Sequence, residues 1–187
     1  MLHRSFPALA ALFLLAFASP AVAAPPERAY DLTVTDIDGE SLPLARFAGK
    51  ALLVVNTASM CGYTPQFEQL QALWERYRAR GLVVIGVPSD DFNQEYADAA
   101  EVKRFCAVNF AVDFPMTAIS HVRGADAHPL FAFAERGLGD AAVPRWNFHK
   151  VLFDAQGQPV EAFATGVRPD DARVVEAIEG ALPGPGA

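Results

Sequence analysis

The sequence predicts an α/β fold with a parallel βαβ unit at its centre. Two observations carry that prediction. Residues 51–56 (ALLVVN) and 82–87 (LVVIGV) are unbroken apolar runs, the pattern of strands covered on both faces. Between them Phe67, Leu70, Trp74 and Tyr77 recur at helical spacing, and Gly81 closes the helix. Two strands joined in this way lie parallel with a right-handed crossover. Ligand binding and chemistry then gather in the loops at their carboxyl ends.

The remaining elements follow in chain order. Residues 30–34 and 41–44 flank Asp36-Ile37-Asp38-Gly39, a turn signal, and predict a β-hairpin. After the first central strand, Thr64 is expected to cap the helix, with Pro65 at its first position. Asp98, with Glu101 three residues on, predicts a helix to about Val108 whose apolar side carries Val102, Phe105 and Cys106. Residues 110–116 read as extended. His128-Pro129 starts a helix that runs to about Gly137. Residues 148–153 and 159–163 flank Asp154-Ala155-Gln156-Gly157 as a second hairpin. Asp170 is expected to open a last helix with Val174, Val175, Ile178 and Leu182 on its apolar side, before a frayed tail. That order matches a thioredoxin-like α/β fold with an added N-terminal β-hairpin.

Length and composition bound the rest. The chain has 187 residues, 52% hydrophobic and 20% charged, enough for one domain with a full core and unlike a disordered chain. A net charge of -7 argues against nucleic acid or an anionic membrane as an electrostatic partner. Part of the apolar excess lies in residues 1–23. A basic start, an apolar run over residues 5–18 and Ala21-Val22-Ala23 form the pattern of a cleaved signal peptide. The run is short for a membrane span, and an uncleaved N-terminal anchor is the second reading. Residues 24–187 are then the mature domain, exported and expected in the periplasm.

Export changes the meaning of the two cysteines, Cys61 and Cys106. In an oxidising compartment a cysteine pair is most often a structural disulfide. Cys61 also sits where a strand gives way to a helix. Unpaired N–H groups and the helix dipole favour a thiolate there, which makes it a candidate nucleophile. The βαβ geometry sets Pro88-Ser89-Asp90-Asp91 beside its loop. Trp146 and Asn147 offer an indole N–H and an amide, donors suited to a thiolate or a leaving alkoxide. A core Trp and a turn Asn are the plainer account of that pair, and Trp74, on a helical stripe, is read as core. His121, His128 and His149 lack the spacing of metal ligands, and no metal or cofactor is expected. Lys150 and Arg145 read as solvated cations that could also orient an anionic reductant.

Four segments carry a family resemblance: residues 56–66 (NTASMCGYTPQ), 86–95 (GVPSDDFNQE), 105–116 (FCAVNFAVDFPM) and 146–150 (WNFHK). In this order and spacing they resemble the glutathione peroxidase family, in its cysteine-containing, thiol-dependent branch. The resemblance implies that Cys61 attacks hydrogen peroxide and organic or lipid hydroperoxides and becomes a sulfenic acid. Trp146 and Asn147 would be members of a catalytic tetrad. Its remaining member is usually a glutamine, and the matching position is read as Asp91. A carboxylate there would oppose a thiolate by like-charge repulsion. Cys106 resembles the resolving cysteine, which closes a Cys61–Cys106 disulfide that a thioredoxin-like dithiol protein or glutathione reopens. The short segment 120–128 resembles that of monomeric members. Peroxiredoxins place a threonine three residues before the cysteine and thioredoxins carry C-x-x-C; neither pattern is present. A non-catalytic module with a structural Cys61–Cys106 disulfide is the alternative from another class.

Overall fold

Alternation along the central strands sorts the core into two halves. In the computed structural model, which describes residues 25–184, β3 (Ala51–Thr57) turns Ala51, Leu53 and Val55 into one apolar cluster and Leu52 and Val54 into the other. This is the period of two expected of a strand with helices on both faces. β4 (Leu82–Pro88) runs parallel to β3, from Ala51 against Leu82 to Thr57 against Pro88. β5 (Lys150–Phe153) pairs antiparallel on the other edge of β3, and β6 (Pro159–Phe163) pairs antiparallel with β5. The sheet order is β4-β3-β5-β6. A separate two-stranded hairpin, β1 (Thr33–Thr35) with β2 (Ser41–Pro43), precedes it.

The helices divide between the two faces. α1 (Gln66–Tyr77), α2 (Ala99–Phe110) and α4 (Ala172–Ala181) share one cluster, through Phe67, Leu70, Val102, Cys106, Val174 and Ile178. α3 (Pro129–Leu138) covers the other through Leu130, Phe131 and Phe133, with the N-terminal segment beside it. A parallel pair, an antiparallel hairpin and helices on both faces make this the thioredoxin-like fold that the sequence predicts. Among the described residues no helix is long and apolar enough to cross a membrane. The signal-peptide residues 1–23 and the last three residues of the tail lie outside the described range.

Several boundaries differ from the sequence expectation, each for a local reason. The first hairpin starts later because Ala29–Asp31 forms a short 3-10 turn. The Tyr30 hydroxyl anchors that turn by donating to the carbonyl of Lys50 at 2.5 Å. α1 starts at Gln66 without a side-chain cap. The Thr64 hydroxyl instead accepts from the Cys61 N–H at 3.1 Å and donates to the Ala58 carbonyl at 2.9 Å. α2 extends to Phe110 and closes at Ala111, a left-handed residue with φ 52°. Only the end of the 110–116 stretch behaves as a strand, where Met116 forms a parallel bridge with Gly86. β5 begins two residues late because Phe148 has φ 61° and cannot continue a strand. Asp171 caps α4, while Asp170 is paired with Arg168.

One residue ties the helix that follows Cys61 to the loop that precedes β5. Phe67 lies edge-on to Phe148, with ring centroids 5.3 Å apart, and also packs on Phe110 and Phe114. It is fully buried. Phe67→Ala should lower the unfolding free energy by about 3–5 kcal/mol. Urea titration checks this, and a loss below about 1 kcal/mol would mean that the cluster closes over the gap.

Candidate active site

The parallel register sets the two strand-end loops side by side. Thr57 and Pro88 are paired, and the Ser89 N–H donates to the Thr57 carbonyl at 3.0 Å. Residues 94–95 then run along residues 59–60. The Met60 N–H donates to the Gln94 carbonyl at 2.9 Å, and the Ser59 N–H donates to Glu95 Oε1 at 3.0 Å. The peptide immediately before Cys61 is thus held at two successive N–H groups.

Glu95 is an unusual anchor because it is buried. The Tyr96 N–H also donates to its Oε1, and its Oε2 has no partner among the described residues. Burial pushes its pKa up, against the pull of the Ser59 and Tyr96 N–H groups. Cys61 itself is 7% exposed. The Tyr63 N–H donates to its Sγ at 3.4 Å. Cys61 therefore sits in the turn ahead of α1, not at the first turn of the helix.

The third wall of the site comes from the loop before β5. Asn56, fully buried at the end of β3, grips this loop from both sides. Its Nδ2 donates to the Trp146 carbonyl at 3.2 Å, and its Oδ1 accepts from the His149 N–H at 2.9 Å. Its own carbonyl accepts from the Phe148 N–H. Between these points Asn147 turns inward. Its Nδ2 donates to Gln94 Oε1 at 3.0 Å. With its oxygen turned to Asn147, the Gln94 amide keeps its NH2 group available as a donor. Trp146 is 41% exposed, with its ring on Phe92 at a centroid distance of 5.2 Å.

Cys61, Trp146 and Asn147 therefore share one framework, joined by a residue the sequence reading passed over. Asp91 does not occupy the expected fourth position. Its carboxylate accepts from the Val122 N–H at 2.8 Å and pairs with His121 Nδ1 at 2.6 Å. Burial opposes its charge, yet the His121 and Val122 hydrogen bonds hold its pKa below the usual carboxylate range. His121 and the Val122 N–H take up the Asp91 carboxylate, and beyond the φ 54° turn at Asn93 it is Gln94 that meets Asn147. The signal for Gln94 was its type. An amide can accept from Asn147 and still donate, whereas an ionised acid can only accept. The Asp91 carboxylate is engaged instead by His121 and the Val122 N–H.

Cys106 stands apart from this framework. It is 1% exposed in the middle of α2, and both cysteines are free thiols. Burial, with the charge of Glu95, pushes Cys106 up to about 12. Lys150, read as solvated, is fully buried and donates to the carbonyl of Val167 at 2.6 Å. Burial lowers it to about 7. Among the described residues no group of three or more His, Cys, Asp or Glu side chains is arranged to hold a metal.

The comparisons with known proteins bear on this geometry. Residues 29–135 match the family model described as glutathione peroxidase. The chain is 39% identical over 145 residues to a glutathione peroxidase of Lactococcus lactis subsp. cremoris (strain MG1363), covering 76% of this chain and 92% of that one. The chain belongs to the glutathione peroxidase family. Membership makes it an oxidoreductase of the peroxidase class. It is also 40% identical over 151 residues to the hydroperoxy fatty acid reductase gpx1 of Synechocystis sp. (strain ATCC 27184 / PCC 6803 / Kazusa), covering 76% of this chain and 89% of that protein. The crystal structure of T. cruzi GPX1 superposes with a TM-score of 0.63 at 31% identity, covering 83% of this chain and 94% of that chain.

Two buried histidines make the fold of this glutathione peroxidase relative sensitive to acid. His128 caps α3, and His149 follows Trp146 and Asn147 in the loop that Asn56 holds. Burial pushes both down to about 4. Each is neutral in the folded chain, whereas the unfolded chain binds protons at about pH 6.5. Their neutral burial is therefore compatible with full stability above that pH, and stability drains as pH falls towards 4. The urea midpoint should drop between pH 7.5 and pH 4.5. A midpoint that stays level over this range would contradict the assignment.

Proposed function

We propose that this protein is a thiol peroxidase for hydrogen peroxide and organic or lipid hydroperoxides, with Cys61 as the nucleophile. The observation that carries the reading is the Asn147–Gln94 hydrogen bond, because it unites the donors of one loop with the loop pinned beside Cys61. Cys61 Sγ attacks the terminal oxygen of the O–O bond. That bond breaks, the sulfur becomes a sulfenic acid, and the other oxygen leaves as water or an alcohol after taking a proton. Charge develops on the sulfur first and then on the leaving oxygen. The Tyr63 N–H, the Gln94 NH2 group and the Trp146 indole are the donors that would meet it. The fatty acid hydroperoxide named for the Synechocystis relative supports a bulky substrate class, as does a half-exposed Trp146 at the mouth of the site.

Cys106 is the proposed resolving thiol. Its sulfur would displace hydroxide from the Cys61 sulfenic acid, form the disulfide and release water. A dithiol protein of the thioredoxin type, or glutathione, would then reduce the bond. Cys106 is buried in the middle of α2, so its attack would proceed with α2 opened. Two features favour this opening. Only Val102 and Cys106 of its 12 residues are buried. Its last carbonyls are closed by Ala111 in the left-handed region, which costs a non-glycine residue about 1–2 kcal/mol. Helices with so little buried surface open locally well below the global unfolding free energy. The N-terminal pattern of residues 1–23 supports export to the periplasm, and the short 120–128 segment supports a monomer.

Stopped-flow peroxide consumption by the reduced protein tests these roles. Cys61→Ser should abolish the first turnover. Cys106→Ser should complete the first turnover at the wild-type rate and then fail to recycle with a dithiol donor. Gln94→Ala should slow the first turnover by about 10²-fold, the usual cost of an aimed donor. First-turnover activity surviving in Cys61→Ser would overturn the proposal.

A further inference from the structure

We propose that Asp91 is a positioning residue for Trp146, acting through the Arg123–Phe92 stack. The inference rests on the reading of Trp146 as a donor to the reacting oxygen. Trp146 needs an external constraint. It is 41% exposed, and its ring packs on Phe92. A donor free to swing loses most of the benefit of being aimed.

Phe92 is itself held by a cation. The Arg123 guanidinium lies over its ring, with Cζ 4.5 Å from the centroid. Arg123 Nη2 donates to the Asp91 carbonyl at 3.0 Å, which holds the guanidinium over the neighbouring ring. The Asp91 carboxylate then locks residues 121–122 to this turn, through the Val122 N–H at 2.8 Å and His121 Nδ1 at 2.6 Å. The Asp91 N–H donates to Ser89 Oγ at 3.3 Å, just beyond β4. The chain of contact therefore runs from the end of the central sheet to the indole. Its one buried charge is Asp91, whose side chain is 8% exposed, against 69% for His121.

The charges around this clamp give it a pH dependence. His121 and Arg123 face Asp91, and Asp91 and Asp126 face His121. The hydrogen bond to Asp91, and the charge of Asp91, raise the pKa of His121. The pair is therefore fully charged below the ordinary histidine value and loses its cation as pH rises through the raised value. Trp146 should be held best on the acid side of that titration, with the Val122 N–H bond remaining above it.

The test uses the full-length reduced protein in a Trp74→Phe background, so that indole emission reports Trp146 alone. Asp91→Asn and the exposed Arg123→Gln should each raise iodide quenching of Trp146 and slow the first turnover with peroxide by about tenfold. Asp91→Asn should also remove the His121 limb from the pH profile of that step. Neither variant should slow the reaction further once Trp146→Phe is present. Wild-type quenching, rate and pH profile in both variants would overturn the inference, as would additive effects in the Trp146→Phe background. If Trp146→Phe itself reacts at the wild-type rate, the donor role of Trp146 fails. If it reacts slowly while the two clamp variants do not, the clamp alone fails.

Discussion

The site depends on how β3 ends. Asn56 is buried, and its side chain supplies the hydrogen bonds that a continuing strand partner would otherwise make. The loop it holds is one the chain would not adopt freely. Phe148 sits at φ 61°, a conformation that costs a side-chain-bearing residue about 1–2 kcal/mol. Each amide hydrogen bond returns about 0.5–1.5 kcal/mol, so the two from the Asn56 side chain offset that strain. Burial of the Phe148 ring against Phe67 adds about 1.5–3 kcal/mol. The strain has a consequence for chemistry. It breaks the strand alternation at Phe148, and so lets Asn147 reach Gln94 while Phe148 stays in the core.

The direction of the amide chain matters as much as its position. Asn147 donates to Gln94 Oε1, which leaves the Gln94 NH2 group available as a donor. In the proposed reaction, an acid in that place would set a negative charge against the thiolate of Cys61. The chain separates these roles within one loop. Gln94 faces Asn147, Glu95 is buried under the Ser59 N–H, and Asp91 is turned to His121. Three polar side chains within five positions thus serve three different neighbours. The φ 54° turn at Asn93 distributes them.

Much of the fold was legible in the sequence because strong periodicity decides it. The apolar runs gave β3 and β4, and the spacing of Phe67, Leu70 and Tyr77 gave α1. The turn residues gave both hairpins. The end of β3 and its adjacent loop also follow from the parallel pair. What escaped was set by contacts between distant residues. The placing of Asp91 and Gln94 turns on one left-handed residue, and local pattern does not register that in a loop of mixed polar residues. Lys150 looked solvated because its type predicts exposure. It is buried because the carbonyls of Thr165 and Val167 converge on its Nζ. Thr64 looked like a cap, yet its hydroxyl serves the Cys61 turn.

If Asn56 acts by holding Asn147 against Gln94, the two asparagines form one functional unit. The most direct measurement is a double-mutant cycle of Asn56→Ser and Asn147→Ala. The readout is the second-order rate constant of the reduced protein with hydrogen peroxide, at a pH and temperature where all four proteins are folded. The account predicts that Asn56→Ser slows the reaction by about tenfold or more in the wild-type background and has little effect once Asn147 is alanine. Equal slowing in both backgrounds, or a wild-type rate in folded Asn56→Ser, would contradict it.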